Sequence, residues 1–264
     1  MYMIHTCQDR LWYVNRFLIP SMLSQGISKS EIMTYNDENG DGNLKSCSKS
    51  FKLVSLNSDG DTWHLQDDVV ISHDFKERTE RFDNHVPNFI LSGMCMDIDE
   101  DASRPTGVVS VENLWYSFQC IRIPNKIAGE FSDWVEHDAM MNPDYRLWIR
   151  RNKYDDSLFK EFLIDKHNDI GAVNIYPNLV DHVDYIIGGS LVNKDFDADR
   201  RAKYFTDQYL VKDLEKSLNS RNISIKLKEQ IERLNHGSKR HTDFSRFNGH
   251  THRFTEPDNY NGAE

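Results

Sequence analysis

Apolar positions switch between two periods along this chain, and the switches outline its elements. Residues 2–7 form a short apolar run that stops at Gln8-Asp9-Arg10, which reads as a first strand. From Leu11 to Leu23 the apolar residues Leu11, Val14, Phe17, Leu18 and Met22 recur at helical spacing, and the pattern ends near Gly26. Ile32-Met33-Thr34-Tyr35 predicts a second strand, closed by the turn-rich Asn36-Asp37-Glu38-Asn39-Gly40-Asp41-Gly42. A helix follows from Leu44 to Val54, then a strand near 62–66 and another apolar segment at Phe89-Ile90-Leu91. Residues 97–113 are rich in Asp, Ser, Pro and Gly and read as a loop or hairpin insertion. Trp115 to Ile123 alternates as a strand does, and Phe131 to Met140 and Ser157 to His167 carry helical patterns.

This strand–helix alternation predicts an α/β fold with a mostly parallel sheet and helices on both faces. Such sheets bind ligands outside the carboxyl ends of their strands. His5–Arg10, Asp37 and Gln66–Asp68 all fall at those ends, so three separate elements converge on one crevice. Beyond Asn193 the chain is highly charged, with helical patterns at Asp199–Lys216 and Ile223–Leu234. Residues 236–264 are polar and nearly free of aliphatics, which predicts a weakly packed or extended tail. The expected organisation is therefore a catalytic domain over residues 1–193 and a helical, partly extended C-terminal region over 194–264.

Composition narrows the class. With 264 residues, 38% hydrophobic and 28% charged, the chain is large enough for one α/β domain with an appendage and should be soluble. No apolar run approaches the roughly 20 residues of a membrane span. The start, Met1 to Thr6, lacks a basic segment followed by an apolar one, so no signal peptide is expected. Cys7, Cys47, Cys95 and Cys120 lack metal-type spacing and read as reduced thiols, which points to a cytoplasmic protein. Of the net charge of −10, residues 194–264 hold 14 Lys+Arg against 12 Asp+Glu, leaving 18 against 30 for residues 1–193. An acidic body excludes a surface built to hold a polyanion throughout; contact with nucleic acid would be local.

The most chemically loaded segment is Leu65-Gln66-Asp67-Asp68-Val69-Val70-Ile71, an acidic pair between a strand and a β-branched run. Hard cations such as Mg²⁺ and Mn²⁺ take carboxylate oxygens and bind with one or two protein carboxylates plus substrate phosphates. The pair therefore points to a metal-assisted enzyme with a nucleotide-linked substrate. The plainer alternative is a solvated Asp-Asp turn beside a strand. Asp37 is placed to accept from a ribose hydroxyl or a base, or to serve its own turn. Arg10 could add positive charge for a phosphate, or simply begin a helix. Trp63 and Trp134 are candidates to stack on a base or sugar, whereas Trp115 and Trp148 read as core.

Tyr176-Pro177-Asn178-Leu179-Val180-Asp181-His182 supplies a late histidine behind a Pro-flanked segment. Together the two strings resemble the GT-A class of nucleotide-sugar glycosyltransferases over about residues 1–193. Leu65 to Val69 looks like that class's metal-binding acidic motif, and Pro177 to His182 resembles its late segment, where a histidine completes the metal shell. The usual Asp-x-Asp pattern is broken at Gln66. The resemblance implies a Rossmann-like GT-A fold, a UDP-type donor, and Mn²⁺ or Mg²⁺ held by Asp67, Asp68 and His182, with either aspartate as the direct ligand. It implies donor contacts from Thr6, Arg10, Asp37, Asn43, Trp63, Gln66 and Asp67. His182 also has a reading as a hydrogen-bonded core histidine.

An inverting enzyme of this class takes the acceptor's proton with a carboxylate at a helix start. Asp156, with Asp155 second, fits that place, although an aspartate before Ser157-Leu158-Phe159 is also an ordinary N-cap. A retaining reaction would not need it. The whole chain also resembles small bacteriophage-encoded glycosyltransferases, some of which glycosylate hydroxymethylated pyrimidines in viral DNA; that implies DNA as acceptor. Arg146, Arg150, Arg151 and Lys153 cluster before Asp155, and Arg200, Arg201, Lys203, Lys239, Arg240, Arg246 and Arg253 follow with Phe244, Phe247 and Phe254 interleaved. Three alternatives stay open: a surface-glycan acceptor, a non-catalytic nucleic-acid-binding protein on a GT-A body, and a metal-dependent nucleotidyltransferase or phosphohydrolase.

Overall fold

A computed structural model describes residues 1–57, 59–95, 106–114, 117–139, 141–143, 145–146, 155–188, 201–202 and 204–219. Met1–Asn219 form one compact unit; the other, Ser220–Glu264, lies outside the described residues, as do the expected helix at 223–234 and the tail. No described helix is long and apolar enough to cross a membrane.

The chain opens with β1 (Tyr2–Cys7), a helical segment comprising α1 (Leu11–Tyr13), a π turn (Val14–Leu18) and α2 (Ile19–Ser24), then β2 (Ile32–Asp37) and α3 (Asn43–Asn57). There follow β3 (Asp61–Gln66), β4 (Val69–Ile71), α4 (Phe75–His85), β5 (Ile90–Ser92), β6 (Gly107–Val109) and β7 (Cys120–Pro124). The rest is α5 (Asn125–Trp134) with a π turn (Val135–Ala139), α6 (Asp155–Lys166), β8 (Ala172–Asn174), β9 (Val180–His182) and α7 (Gln208–Asn219). Seven strands form one sheet in the order β2-β1-β3-β7-β5-β8-β6. Five run one way; β7 and β6 run against them. The expected mostly parallel α/β sheet, Rossmann-like and consistent with a GT-A fold, is thus present.

Strand alternation decides which helix meets which face. Tyr2 and Trp63 are paired across β1 and β3 and point to α4: the Tyr2 hydroxyl is 2.7 Å from Thr79 Oγ1, and the Trp63 indole N–H donates to Asp83 at 3.1 Å. Met3 points the other way, into a core of Leu44, Phe51, Val54, Ile121, Ile123, Phe131, Phe159 and Phe162 shared by α3, α5 and α6. Gly129 lets α3 and α5 approach closely, since a Cβ there would lie 2.8 Å from Ser55. Helices therefore cover both faces, and β1 is the point where the chain turns from one side of the sheet to the other. That switch fixes the crevice outside the carboxyl ends of β1 and β3.

Local differences from the sequence reading have physical causes. The helix expected at 11–23 is interrupted by the π turn just before Pro20, whose ring has no N–H and would clash with the Arg16 carbonyl in a regular helix. The strand expected from Trp115 begins only at Cys120, because a turn closes Cys120 N–H onto the Ser117 carbonyl at 3.2 Å. The helix expected from Phe131 starts earlier, at Asn125, and passes into its π turn at Val135. Of the helix expected from Asp199, the described part is Gln208–Asn219; ahead of it Arg201, Ala202, Tyr204 and Asp207 hydrogen-bond to Asp181, Asn178 and His73 instead. Ala202, Phe205, Val211, Leu214 and Leu218 are buried as part of the Met1–Asn219 unit.

Candidate metal and donor site

A second, two-stranded sheet builds the site. β4 leaves the acidic pair directly and pairs antiparallel with β9, in the register Val69↔His182, Val70↔Asp181, Ile71↔Val180. The ladder continues at both ends, with Val183 N–H on the Asp68 carbonyl and Ser72 N–H on the Leu179 carbonyl, each at 2.8 Å. This pairing carries a residue late in the chain to the acidic pair. His182 Nε2 lies 3.0 Å from Asp68 Oδ2, and His182 Nδ1 lies 3.4 Å from Asp184 Oδ1. One ligand atom from each of Asp68, His182 and Asp184 falls within 4.8 Å of the others. His182 is 1% and Asp184 8% exposed, so these groups face one another rather than water.

Two carboxylates supply the oxygen ligands that hard divalent cations such as Mg²⁺ and Mn²⁺ take, with an imidazole beside them, so the three residues could hold a divalent cation. The donor set fits the expected cation. Asp184 was not singled out in the sequence, where an aspartate two residues after a histidine carries no signal; only the β4–β9 register brings it to Asp68.

Asp67 points elsewhere. Its Oδ2 accepts the Cys7 N–H at 3.3 Å, and the Thr6 side chain also hydrogen-bonds to it. Burial first, then the Asp68 charge, pushes its pKa up to about 7, while Arg10 and the Thr6 bond oppose the rise. Arg10 is 3% exposed, and its charge reaches both Asp67 and Tyr13. Tyr13, buried against this group, donates to the Val69 carbonyl at 2.8 Å. Thr6, Arg10, Asp67, Asp68 and His182 therefore gather around the ends of β1, β3 and β4. Gln66, half-buried at the end of β3, pairs with His5 and gives its N–H to the Gln119 carbonyl at 3.3 Å.

Behind this edge lies a histidine pair that the sequence did not reveal, His64 buried and His5 half-buried. Ser50 donates to the Cys47 carbonyl at 2.7 Å, so its oxygen accepts from His5 Nδ1 at 3.0 Å. His5 Nε2 must then accept from His64 Nδ1, 3.1 Å away. Burial holds both rings neutral, His5 down to about 4 and His64 well below its ordinary value.

The remaining candidates are held by other elements. Asp37 spends both carboxylate oxygens on the N–H groups of Asp41 (2.8 Å) and Gly42 (3.0 Å), shaping the turn that leads to Asn43, the half-buried first residue of α3. Gly40 and Gly42 take φ of 66° and 85° there, which glycine adopts without strain. Asp155 and Asp156 open α6, and their charges reach the buried Cys47 thiol in the first turns of α3. Burial, then Asp156, pushes Asp155 up to about 7; burial also raises Asp156, whose Oδ1 accepts the Ser157 N–H at 2.7 Å. Trp63 and Trp134, expected to stack on a base or sugar, are packed inside the protein instead. Trp63 is 0% exposed with its N–H on Asp83, and Trp134 is 6% exposed in the aromatic core, so neither offers a face for stacking. Trp115, Trp148 and the Arg150–Lys153 cluster lie outside the described residues.

A second acid–histidine group, His73, Asp74 and Asp207, serves as a tie between α4 and the C-terminal segment. Asp207 Oδ2 accepts the His73 backbone N–H and approaches its Nδ1, both at 2.8 Å.

No protein-family model and no curated protein matches the chain. Among solved structures, the crystal structure of S. aureus TarS 1–349 is similar with a TM-score of 0.45 and 14% identity, over 94% of this chain and 73% of that one.

Proposed function

We propose that this protein is a metal-dependent glycosyltransferase that moves a sugar from a nucleoside-diphosphate donor of the UDP type to a hydroxyl acceptor. The observation that carries the reading is the Asp68–His182–Asp184 cluster at the carboxyl edge of the sheet, in which His182 and Asp184 are buried and Asp68 half-buried, beside the buried Arg10. Asp68, His182 and Asp184 would hold Mn²⁺ or Mg²⁺, with Asp68 rather than Asp67 as the ligand of the acidic pair. When bound, the cation offsets the negative charge that develops on the departing diphosphate. Arg10 adds a fixed positive charge at the same edge. Asp67 holds Thr6 and Cys7 in place, so the end of β1 presents its backbone to the donor in one conformation. Gln66 reaches the ribose or a phosphate oxygen, and the Asp37–Asn43 turn meets the nucleoside.

Asp156 is the base. Its Oδ1 is held by Ser157, so Oδ2 takes the acceptor's proton as the hydroxyl attacks the anomeric carbon. Asp155, more deeply buried, is the second carboxylate of that pair. The acceptor we infer is the hydroxymethyl group of a pyrimidine in phage DNA, or a sugar already on such a base. This rests on the resemblance to bacteriophage enzymes and on the basic residues ahead of Asp155.

The test is mass spectrometry of nucleosides from hydroxymethylpyrimidine-containing DNA after incubation with the protein, Mn²⁺ and a panel of nucleotide sugars. A hexose or pentose increment on the modified base supports donor and acceptor together. Metal-dependent consumption of a nucleotide sugar without DNA modification keeps the transferase and overturns the DNA acceptor. Inactivity toward every donor contradicts the transferase.

A further inference from the structure

His182 and Asp184 lie where β9 runs out into a turn, and two residues of a three-residue set so placed need something to hold them. The held groups are the residues on either side. Asp181 is 0% exposed, and its carboxylate accepts the His182 N–H at 2.9 Å, the Ala202 N–H at 2.7 Å and the Arg201 Nε–H at 2.7 Å. Arg201 Nη2 donates to the same Asp181 oxygen and to Gln208. Its Nη1 donates to the Tyr185 hydroxyl at 2.8 Å, and the guanidinium lies 5.3 Å from the centre of the Tyr185 ring. One planar cation therefore grips the residue before His182 and the residue after Asp184. The same short segment is fastened beside it, with Asn178 N–H on the Tyr204 carbonyl at 3.0 Å and Asp207 on His73.

We propose that Arg201 is a positioning residue for the metal site: by bracketing Asp181 and Tyr185 it fixes the His182–Val183–Asp184 turn against Asp68. This rests on the metal reading above. The fork geometry explains why arginine serves: its separate N–H groups satisfy a carboxylate and a hydroxyl at once while the cation stays 5.3 Å from the tyrosine ring centre, an arrangement that a lysine ammonium, a single point charge, does not reproduce. Partners that orient metal ligands are worth about 10–100-fold in metal affinity.

The experiment is Mn²⁺ titration of the full chain followed by electron paramagnetic resonance of free Mn²⁺, with circular dichroism to confirm folding. The variants are Arg201→Met, Arg201→Lys, Tyr185→Phe and His182→Ala. The expected result is binding about tenfold or more weaker in R201M, with R201K and Y185F between R201M and the parent and H182A without measurable binding. If R201M does not fold, Y185F and R201K carry the test, and parental affinity in both overturns the proposal. Parental affinity in R201M with loss in H182A also overturns it while leaving the metal site standing. Parental affinity in H182A overturns the metal site and the proposal together.

Discussion

His182 Nε2 lies 3.0 Å from Asp68 Oδ2 because Val69 and His182 are partners in the β4–β9 ladder, not because either residue is near the other in sequence. A short strand pair thus brings an acidic motif and a distant histidine into one cluster that could hold a cation. The consequences divide the acidic pair into unlike halves.

Asp68→Asn and His182→Ala should each abolish Mn²⁺-dependent turnover, by at least about a hundredfold, because each removes a proposed cation ligand. Asp67→Asn should spare Mn²⁺ binding within a few-fold and instead raise the donor KM, since Asp67 holds Thr6 and Cys7. Parallel Mn²⁺ titrations and steady-state kinetics separate the two. Equal loss of Mn²⁺ binding in D67N and D68N would contradict the division.

The α6 pair gives a pH signature. In the folded protein burial and Asp156 push Asp155 up to about 7, far above an exposed aspartate. Its neutral form is therefore favoured by folding: the stabilisation is complete below about pH 4 and is lost as pH rises through about 7. Asp155→Asn removes that loss. Thermal unfolding should find D155N close to the parent at pH 4 and more stable at pH 8, by on the order of 4 kcal/mol, or roughly ten degrees in Tm. A difference that is flat across that range would refute the assignment.

Loss of the proposed base should fall on kcat. Asp156→Asn is expected to lower kcat by about 10²–10⁴-fold with little change in donor KM. Metal-dependent hydrolysis of the donor by water, measured by nucleoside diphosphate release, should fall far less. Equal effects on transfer to an acceptor and on binding would argue for a capping role alone.

Cys7 is half-buried at the carboxyl end of β1, while Cys47, Cys95 and Cys120 are buried. Alkylation of the native protein should modify Cys7 alone, and slowly, because burial and Asp67 push the thiol up to about 11. A nucleoside diphosphate with Mn²⁺ should slow it further, severalfold. Peptide mapping reads both; labelling insensitive to the nucleotide would place the donor away from β1.

What the sequence made legible is tied to the range over which each signal acts. β1, β2, α3 and β3 come through because local periodicity and flanking turns specify them, and the carboxyl-end rule then places Arg10, Asp37 and Asp67–Asp68 along one edge. Asp184 stayed hidden because its role arises from strand pairing with a segment far earlier in the chain. Trp63 misled for the same reason: a tryptophan beside a charged turn looks available, yet the strand's alternation turns it onto α4 and Asp83. Trp63→Phe should accordingly cost about 1–3 kcal/mol of stability and leave the donor KM unchanged. Asp37, expected to face the ribose, uses both oxygens to close its own turn, a choice that composition cannot distinguish.

The most direct measurement is nucleoside diphosphate release from a panel of nucleotide sugars, with and without Mn²⁺, for the parent chain and for Asp68→Asn. Release from at least one UDP-sugar by the parent, dependent on Mn²⁺ and absent in the variant, is the expected result. Release that ignores Mn²⁺, or survives loss of Asp68, or never occurs with any donor, would contradict it.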